Sequence, residues 1–207
     1  MGGSPAFSPD GASIAFTALV DDFASTLAAP LVIEGDPSHK VDGVGWIGTA
    51  RTQVFVVPLG GGTPVRMTID GQCTSPSWSP NGAMLAFAQF TIGTEGTRFC
   101  RRVGLVDVTA PCDSVRFPFI AVGTSGPLTW APDGESIVAI GQVEFQVGLN
   151  RLVRLYIADG DVEVLTSHVD RNVMGGGPGT PAVPPGLVQT GGSTSVCGTA
   201  ARPSFSP

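Results

Sequence analysis

The 207-residue chain is long enough for one large domain or two small ones around a sizeable core. Its 29 Gly and 18 Pro, against only 14% charged residues, describe a turn-rich chain poor in helix-forming surface. The 11 Lys and Arg against 17 Asp and Glu leave a net charge of −6 and a pI near 4.7, the wrong sign for a phosphate-binding surface, which excludes nucleic acid as the expected partner.

The N-terminal Met1-Gly2-Gly3-Ser4 lacks a basic region followed by an apolar run, and the longest uncharged stretch, 172–201, is broken by Gly and Pro. Neither a signal peptide nor a membrane span is expected, and no membrane partner; the expected location is cytoplasmic, or periplasmic or extracellular if an upstream signal was lost.

The first predicted element is a hairpin. Pro5-Ala6-Phe7-Ser8-Pro9-Asp10-Gly11, followed by Ser13-Ile14-Ala15-Phe16, reads as a short strand with an aromatic, a tight turn and an alternating apolar strand. Pro presets φ at the first central turn position, Asp suits the next, and Gly supplies a positive φ. Strands over 53–57 and 65–68 follow, joined by a turn at Gly60-Gly61-Gly62. The phrase restarts at Pro76-Ser77-Trp78-Ser79-Pro80-Asn81-Gly82 with Met84-Leu85-Ala86-Phe87, and strands over 103–108 and 115–119 come after it. A third copy, Leu128-Thr129-Trp130-Ala131-Pro132-Asp133-Gly134, leads to strands over 152–157 and 162–166, and Pro203-Ser204-Phe205-Ser206-Pro207 opens a fourth.

Four antiparallel strands per unit, restarting on one phrase, is the pattern of a β-propeller blade. A β-sandwich would show similar alternation without the recurring phrase. The expected fold is therefore all-β, with propeller blades of four antiparallel strands in an incomplete ring of about three blades plus the first strand of a fourth. Blade one spans 5–70 with an insertion at 21–51, blade two 75–122 and blade three 126–169; 170–202 reads as an extended surface loop and 203–207 starts blade four. The motif prolines Pro9, Pro80, Pro132 and Pro207 lie 71, 52 and 75 residues apart, so the first and third units carry the insertions. Three blades do not close a ring, so the chain reads as an excerpt of a longer array, or as one whose copies associate to complete the circle. An open arc should expose apolar groups at its ends: Phe7, Ile14 and Phe16 at one, and some of Ile137, Ile140, Leu155 and Ile157 at the other.

Few side chains suggest chemistry. Cys73, Cys100, Cys112 and Cys197 form no C-x-x-C pair, and with two histidines they supply no metal-ligand cluster. If a disulfide forms, strand order puts Cys73 and Cys100 on one face of blade two and keeps Cys112 away from Cys197. A G-x-S-x-G nucleophile elbow is absent, the nearest string being Gly123-Thr124-Ser125-Gly126-Pro127. His39 and His168 are the only imidazoles that could act as a general base. Ser167, His168 and Asp170 are sequence neighbours and read as a blade-end turn, since triad members converge from separate segments. Asp21-Asp22 reads as a solvated loop and Arg101-Arg102 as a solvated strand start; Phe7, Trp78, Trp130 and Phe205, in the same place in every repeat, read as packing between blades. No catalytic, cofactor-binding or metal-binding residue is assigned, and no cofactor is expected.

The recurring Pro-x-Trp/Phe-Ser-Pro-Asp-Gly phrase resembles that of TolB-type, WD-like propellers. The first insertion adds Pro30-Leu31-Val32-Ile33, Lys40-Val41-Asp42-Gly43-Val44-Gly45-Trp46, a strand ending in Val56-Val57, a Gly-Gly turn and Thr68. That order, with Asn150-Arg151-Leu152 through Ile157 and Asp170-Arg171-Asn172-Val173, is similar to the N-terminal propeller of the prolyl oligopeptidase family, in its acylaminoacyl-peptidase-like branch. The resemblance spans nearly the whole chain. It implies a non-catalytic propeller segment that sits over a serine hydrolase domain and restricts which peptides reach the nucleophile; the partners it implies are that hydrolase domain of the same parent chain and a peptide substrate. The alternative is a TolB-like protein-binding scaffold without a hydrolase. The adjacent glutamate pair with which dipeptidyl-peptidase relatives hold a substrate amino terminus is absent, so no substrate residue carries over. Self-association through open blade edges is the remaining expected partnership.

Overall fold

A computed structural model describes residues 5–21, 40–41, 45–46, 50–90, 101–119, 122–143, 149–173, 186–190 and 193–197. Among these residues there is no helix, and every strand pairing is antiparallel. The first sheet has the order β1 (Ala6–Phe7), β2 (Ser13–Val20), β5 (Arg51–Pro58), β6 (Val65–Arg66). Between its second and third members lies a separate hairpin, β3 (Lys40–Val41) with β4 (Gly45–Trp46). β2 and β5 pair along their full length, from Ser13 opposite Pro58 to Val20 opposite Arg51. The alternation of β2 puts Ala15 and Thr17 on one face and Ile14 and Phe16 on the other.

The second unit consists of β7 (Gln72–Trp78), β8 (Met84–Phe90) and β9 (Arg101–Asp107). Its expected fourth strand, 115–119, is reduced to one bridge, in which Leu105 and Arg116 exchange backbone bonds of 2.9 and 3.0 Å. Pro118 has no N–H to continue the ladder, so the chain peels away after Arg116. It returns to β9 at a single pair, Thr124 opposite Arg101, as β10 (Val122–Trp130) begins. β10 then pairs with β11 (Ser136–Val143), which is followed outward by β12 (Arg151–Tyr156) and β13 (Val162–Val164). The inner strands β7 and β10 each carry a bulge before the repeated phrase, between Thr74 and Ser77 and between Thr124 and Leu128.

These are propeller blades, and the described residues form no closed ring. The opening of the fourth blade, 203–207, and most of both insertions lie outside the described residues. The 170–202 segment is not wholly an extended loop, because β14 (Gly186–Thr190) and β15 (Ser193–Cys197) form a hairpin within it. The signal was present in the sequence: a Gly-Gly pair at 191–192 between two alternating polar–apolar runs is a hairpin pattern.

The core lies between the blades. Ala15, Val54, Val56 and Met67 of blade one meet Cys73, Leu85, Phe87 and Val106 of blade two. On the opposite face of blade two, Ala86, Val103, Leu105 and Phe119 meet Leu128, Trp130, Ile137, Ala139, Val153 and Leu155 of blade three. Strand alternation thus splits β8 between two neighbours, with Leu85 and Phe87 toward blade one and Ala86 toward blade three.

The exposed ends of the arc differ from expectation. Phe7 is 61% exposed and Ile14 and Phe16 are half-buried, as an open face requires. At the other end Ile137 and Leu155 are buried between blades two and three, and Ile157 packs partly against them. Ile140 is buried as well, with Val138 and Leu152, because Leu165 and Val173 fold back over that face; Leu165 N–H bonds Leu152 O and Val173 N–H bonds Asn150 O, both at 2.9 Å.

Candidate functional site

The recurring phrase builds a recurring joint. In blade one Gly11 N–H bonds Ser8 O and Ser8 N–H bonds Ser13 O, each at 2.9 Å, closing the turn with Gly11 at φ +70. Ser8 Oγ donates to Asp10 Oδ1, which also accepts from Ala12 N–H at 2.9 Å, and these bonds hold the Asp10 carboxyl below the usual carboxylate range. Blade two repeats this with an amide: Ser79 Oγ donates to Asn81 Oδ1 (2.8 Å), and Ala83 N–H bonds the same oxygen (3.0 Å). Blade three has Ala131 at the serine position and keeps one of these bonds, Glu135 N–H to Asp133 Oδ1 at 2.9 Å. The serine is a residue that the aromatic-and-glycine reading of the phrase missed. Its i to i+2 spacing from Asp or Asn is the signal that could have found it.

The aromatic of each phrase ties its blade to the one before. Trp78 Nε1 donates to Ala6 O and Trp130 Nε1 to Ser77 O, both at 3.0 Å, and Ala6 and Ser77 hold the same position in successive phrases. The turns also nest: a Cβ at Gly82 would lie 3.7 Å from Pro9 Cδ, and one at Gly134 would lie 3.6 Å from Pro80 Cδ. Packing between blades therefore describes Trp78 and Trp130, which add a hydrogen bond to it; Phe7 packs on no preceding blade among the described residues, and Phe205 lies outside them. A cleft of about 300 Å³ opens between the turns of blades two and three, lined by Pro80, Asn81, Met84, Pro132 and Asp133. Asn81 Oδ1 and Asp133 Oδ1 are both engaged within their own turns.

A polar cluster fixes the crossover from blade one to blade two. Thr68 Oγ1 donates to Gln53 Oε1 (2.7 Å) and accepts from Val54 N–H (3.0 Å), while Gln53 Nε2 donates to Gly71 O (2.9 Å). Buried Gln89 donates to Asp70 O (2.6 Å) and accepts from Arg102 Nε and Nη2 (2.9 and 2.7 Å). Arg102 is thus no solvated strand start: it is half-buried, its guanidinium lies 3.6 Å from the Phe117 ring centroid, and Arg101, on the other face of β9, is the exposed member of the pair. Cys73 is a free, buried thiol that donates to Asp70 O at 3.2 Å, and burial pushes its pKa up, away from thiolate reactivity. Cys112 is also free, whereas Cys100 and the side chain of Cys197 lie outside the described residues.

Ser167, His168 and Asp170 are exposed on the turn that follows β13, and no hydrogen bond joins their side chains. Asp21 is exposed at the end of β2; Asp22 and His39 fall outside the described residues, as does the side chain of Ser125 in the 123–127 string. No group of three or more His, Cys, Asp and Glu that could hold a metal occurs among the described residues, and these residues contain no helix long and apolar enough to cross a membrane.

Comparison with solved structures gives the fold its relatives. TolB from Acinetobacter baumannii superposes with a TM-score of 0.53 at 19% identity, over 80% of this chain and 32% of that one. Pyrococcus horikoshii acylaminoacyl peptidase superposes at 0.56 and 15% identity, over 82% of this chain and 26% of that one. Oligogalacturonate lyase from Vibrio parahaemolyticus superposes at 0.50 and 16% identity, over 79% and 36%. The chain spans about a third of the length of these proteins, or less. No family profile and no curated protein matches it by sequence. The fold is a TolB-like and prolyl-oligopeptidase-like β-propeller, shared by proteins of different activities.

Proposed function

We propose that this chain is a non-catalytic propeller segment of a prolyl-oligopeptidase-like serine peptidase, limiting which peptides reach a hydrolase domain of the same parent protein. The observation that carries this reading is its likeness to the acylaminoacyl peptidase propeller fold, in a chain whose sequence has no G-x-S-x-G elbow. The polar groups the blades bring together, around Gln53, Thr68, Gln89 and Arg102, are engaged with backbone carbonyls and amides or with one another, which is a structural use of them. The likeness to TolB favours a second reading, a protein-binding scaffold with no hydrolase.

The purified chain is expected to leave acyl-peptide and ester substrates intact and to take no label from a fluorophosphonate probe. Stoichiometric labelling of any serine contradicts the non-catalytic role. The coding sequence downstream of Pro207 separates the two readings: further blades and then a G-x-S-x-G elbow support the peptidase, and a stop after further blades supports the scaffold.

A further inference from the structure

The turn of blade two differs from its counterparts by a chemically reactive pair. Where blade one has Asp10-Gly11 and blade three Asp133-Gly134, blade two has Asn81-Gly82. Of the chain's three asparagines only this one precedes a glycine; Asn150 is followed by Arg151 and Asn172 by Val173, whose side chains crowd the next backbone nitrogen. An asparagine deamidates when that nitrogen, having lost its proton, attacks the side-chain Cγ: a new N–C bond closes a cyclic imide, the Cγ–Nδ2 bond breaks, and the nitrogen leaves as ammonia. Water then opens the imide to aspartate or isoaspartate. Asn81 is exposed, so base and water reach it.

The folded turn opposes the first step. The attacking nitrogen belongs to Gly82, whose N–H is donated to Ser79 O at 2.9 Å. Asn81 Oδ1 accepts from Ser79 Oγ (2.8 Å) and Ala83 N–H (3.0 Å), so rotation of the carboxamide breaks both bonds, and Ser79 Oγ in turn accepts from Met84 N–H at 2.9 Å. Freeing the nitrogen and the carboxamide together requires the turn to open, and the reaction then proceeds in proportion to the open population. We propose that Asn81 is a deamidation site gated by its own turn, with Ser79 as the residue that keeps the turn shut. The inference is independent of the peptidase reading. The modification falls where blades meet, since a Cβ at Gly82 would lie 3.7 Å from Pro9 Cδ, and one at Gly134 would lie 3.6 Å from Pro80 Cδ. Aspartate fits the closed turn, because blade one holds Asp10 with the same two bonds; isoaspartate lengthens the main chain by a methylene inside it. Either product adds a carboxylate to the cleft that Asn81 shares with Asp133.

The test is mass-spectrometric peptide mapping of the 207-residue chain through a long incubation at mildly alkaline pH, folded in buffer and unfolded in guanidinium. In the unfolded chain Asn81 is expected to deamidate ahead of Asn150 and Asn172, and at least about tenfold faster than Asn81 in the folded chain. Ser79→Ala is expected to raise the folded rate at least about fivefold and to leave the unfolded rate unchanged. Blade three closes the same turn with Ala131 at this position, Gly134 N–H bonding Ala131 O at 2.9 Å, so the variant retains a turn that folds. Equal rates in the folded and unfolded chain overturn the gating. A folded rate that Ser79→Ala leaves unchanged overturns the role of the serine, and an Asn81 that outlasts Asn150 and Asn172 in the unfolded chain overturns the site itself.

Discussion

Trp130→Ala is expected to destabilise the chain by about 3–5 kcal/mol, and Trp130→Phe by only about 1 kcal/mol. The indole is 7% exposed in the cluster between blades two and three, so its removal leaves a cavity lined by Leu128, Ile137, Val153 and Leu155. Phenylalanine keeps most of the packing and loses the bond to Ser77 O. Chemical denaturation of the wild type and both variants reads the two contributions separately. Equal losses for Phe and Ala would mean that packing around this ring contributes little, and that the hydrogen bond alone makes the joint.

Phe87→Ala is expected to cost about 3–5 kcal/mol, whereas Phe16→Ala, the same position of the phrase one blade earlier, is expected to cost about 1–2 kcal/mol when the chain is monomeric. Phe87 is fully buried among Ala15, Val54, Val56 and Met67 of blade one, in edge contact with Phe117 at 6.0 Å between centroids. Among the described residues, Phe16 has its stacking on Phe55 and the partial cover of its own sheet. Measured by the same denaturation, equal costs at the two positions would show that blade packing does not distinguish them.

The blades were legible because the repeat is both local and periodic. Turn chemistry at Pro9-Asp10-Gly11 and its copies, and the alternation after each glycine, depend on neighbours a few residues away. What depends on groups far apart in the chain was less legible. Trp78 and Trp130 could be placed between blades, but the carbonyls of Ala6 and Ser77 that receive their N–H groups are 72 and 53 residues distant. Arg102 looked solvated because nothing nearby in sequence shows that Gln89 and Phe117 converge on it. Ile140 looked exposed because its cover, Leu165 and Val173, arrives only once the chain turns back beyond β13. The fourth strand of blade two was over-read, since its alternation outweighed the proline at 118. The candidate site stayed faint for a physical reason: the phrases that recur are those that join blades, and what a propeller binds or admits is decided by side chains outside them.

The claim that matters most is that each blade is fastened to the one before it by the aromatic of the repeated phrase. Hydrogen exchange of the indole N–H groups, followed by NMR, measures this directly. The Trp78 and Trp130 indole protons, each bonded to a carbonyl at 3.0 Å, are expected to exchange far more slowly than a free indole, and Trp130→Phe is expected to remove one protected signal while leaving the other. If both indole protons exchanged at the free rate while the backbone amides of β8 and β11 stayed protected, the blades would be folded without the joint, and the account of how they stack would be contradicted.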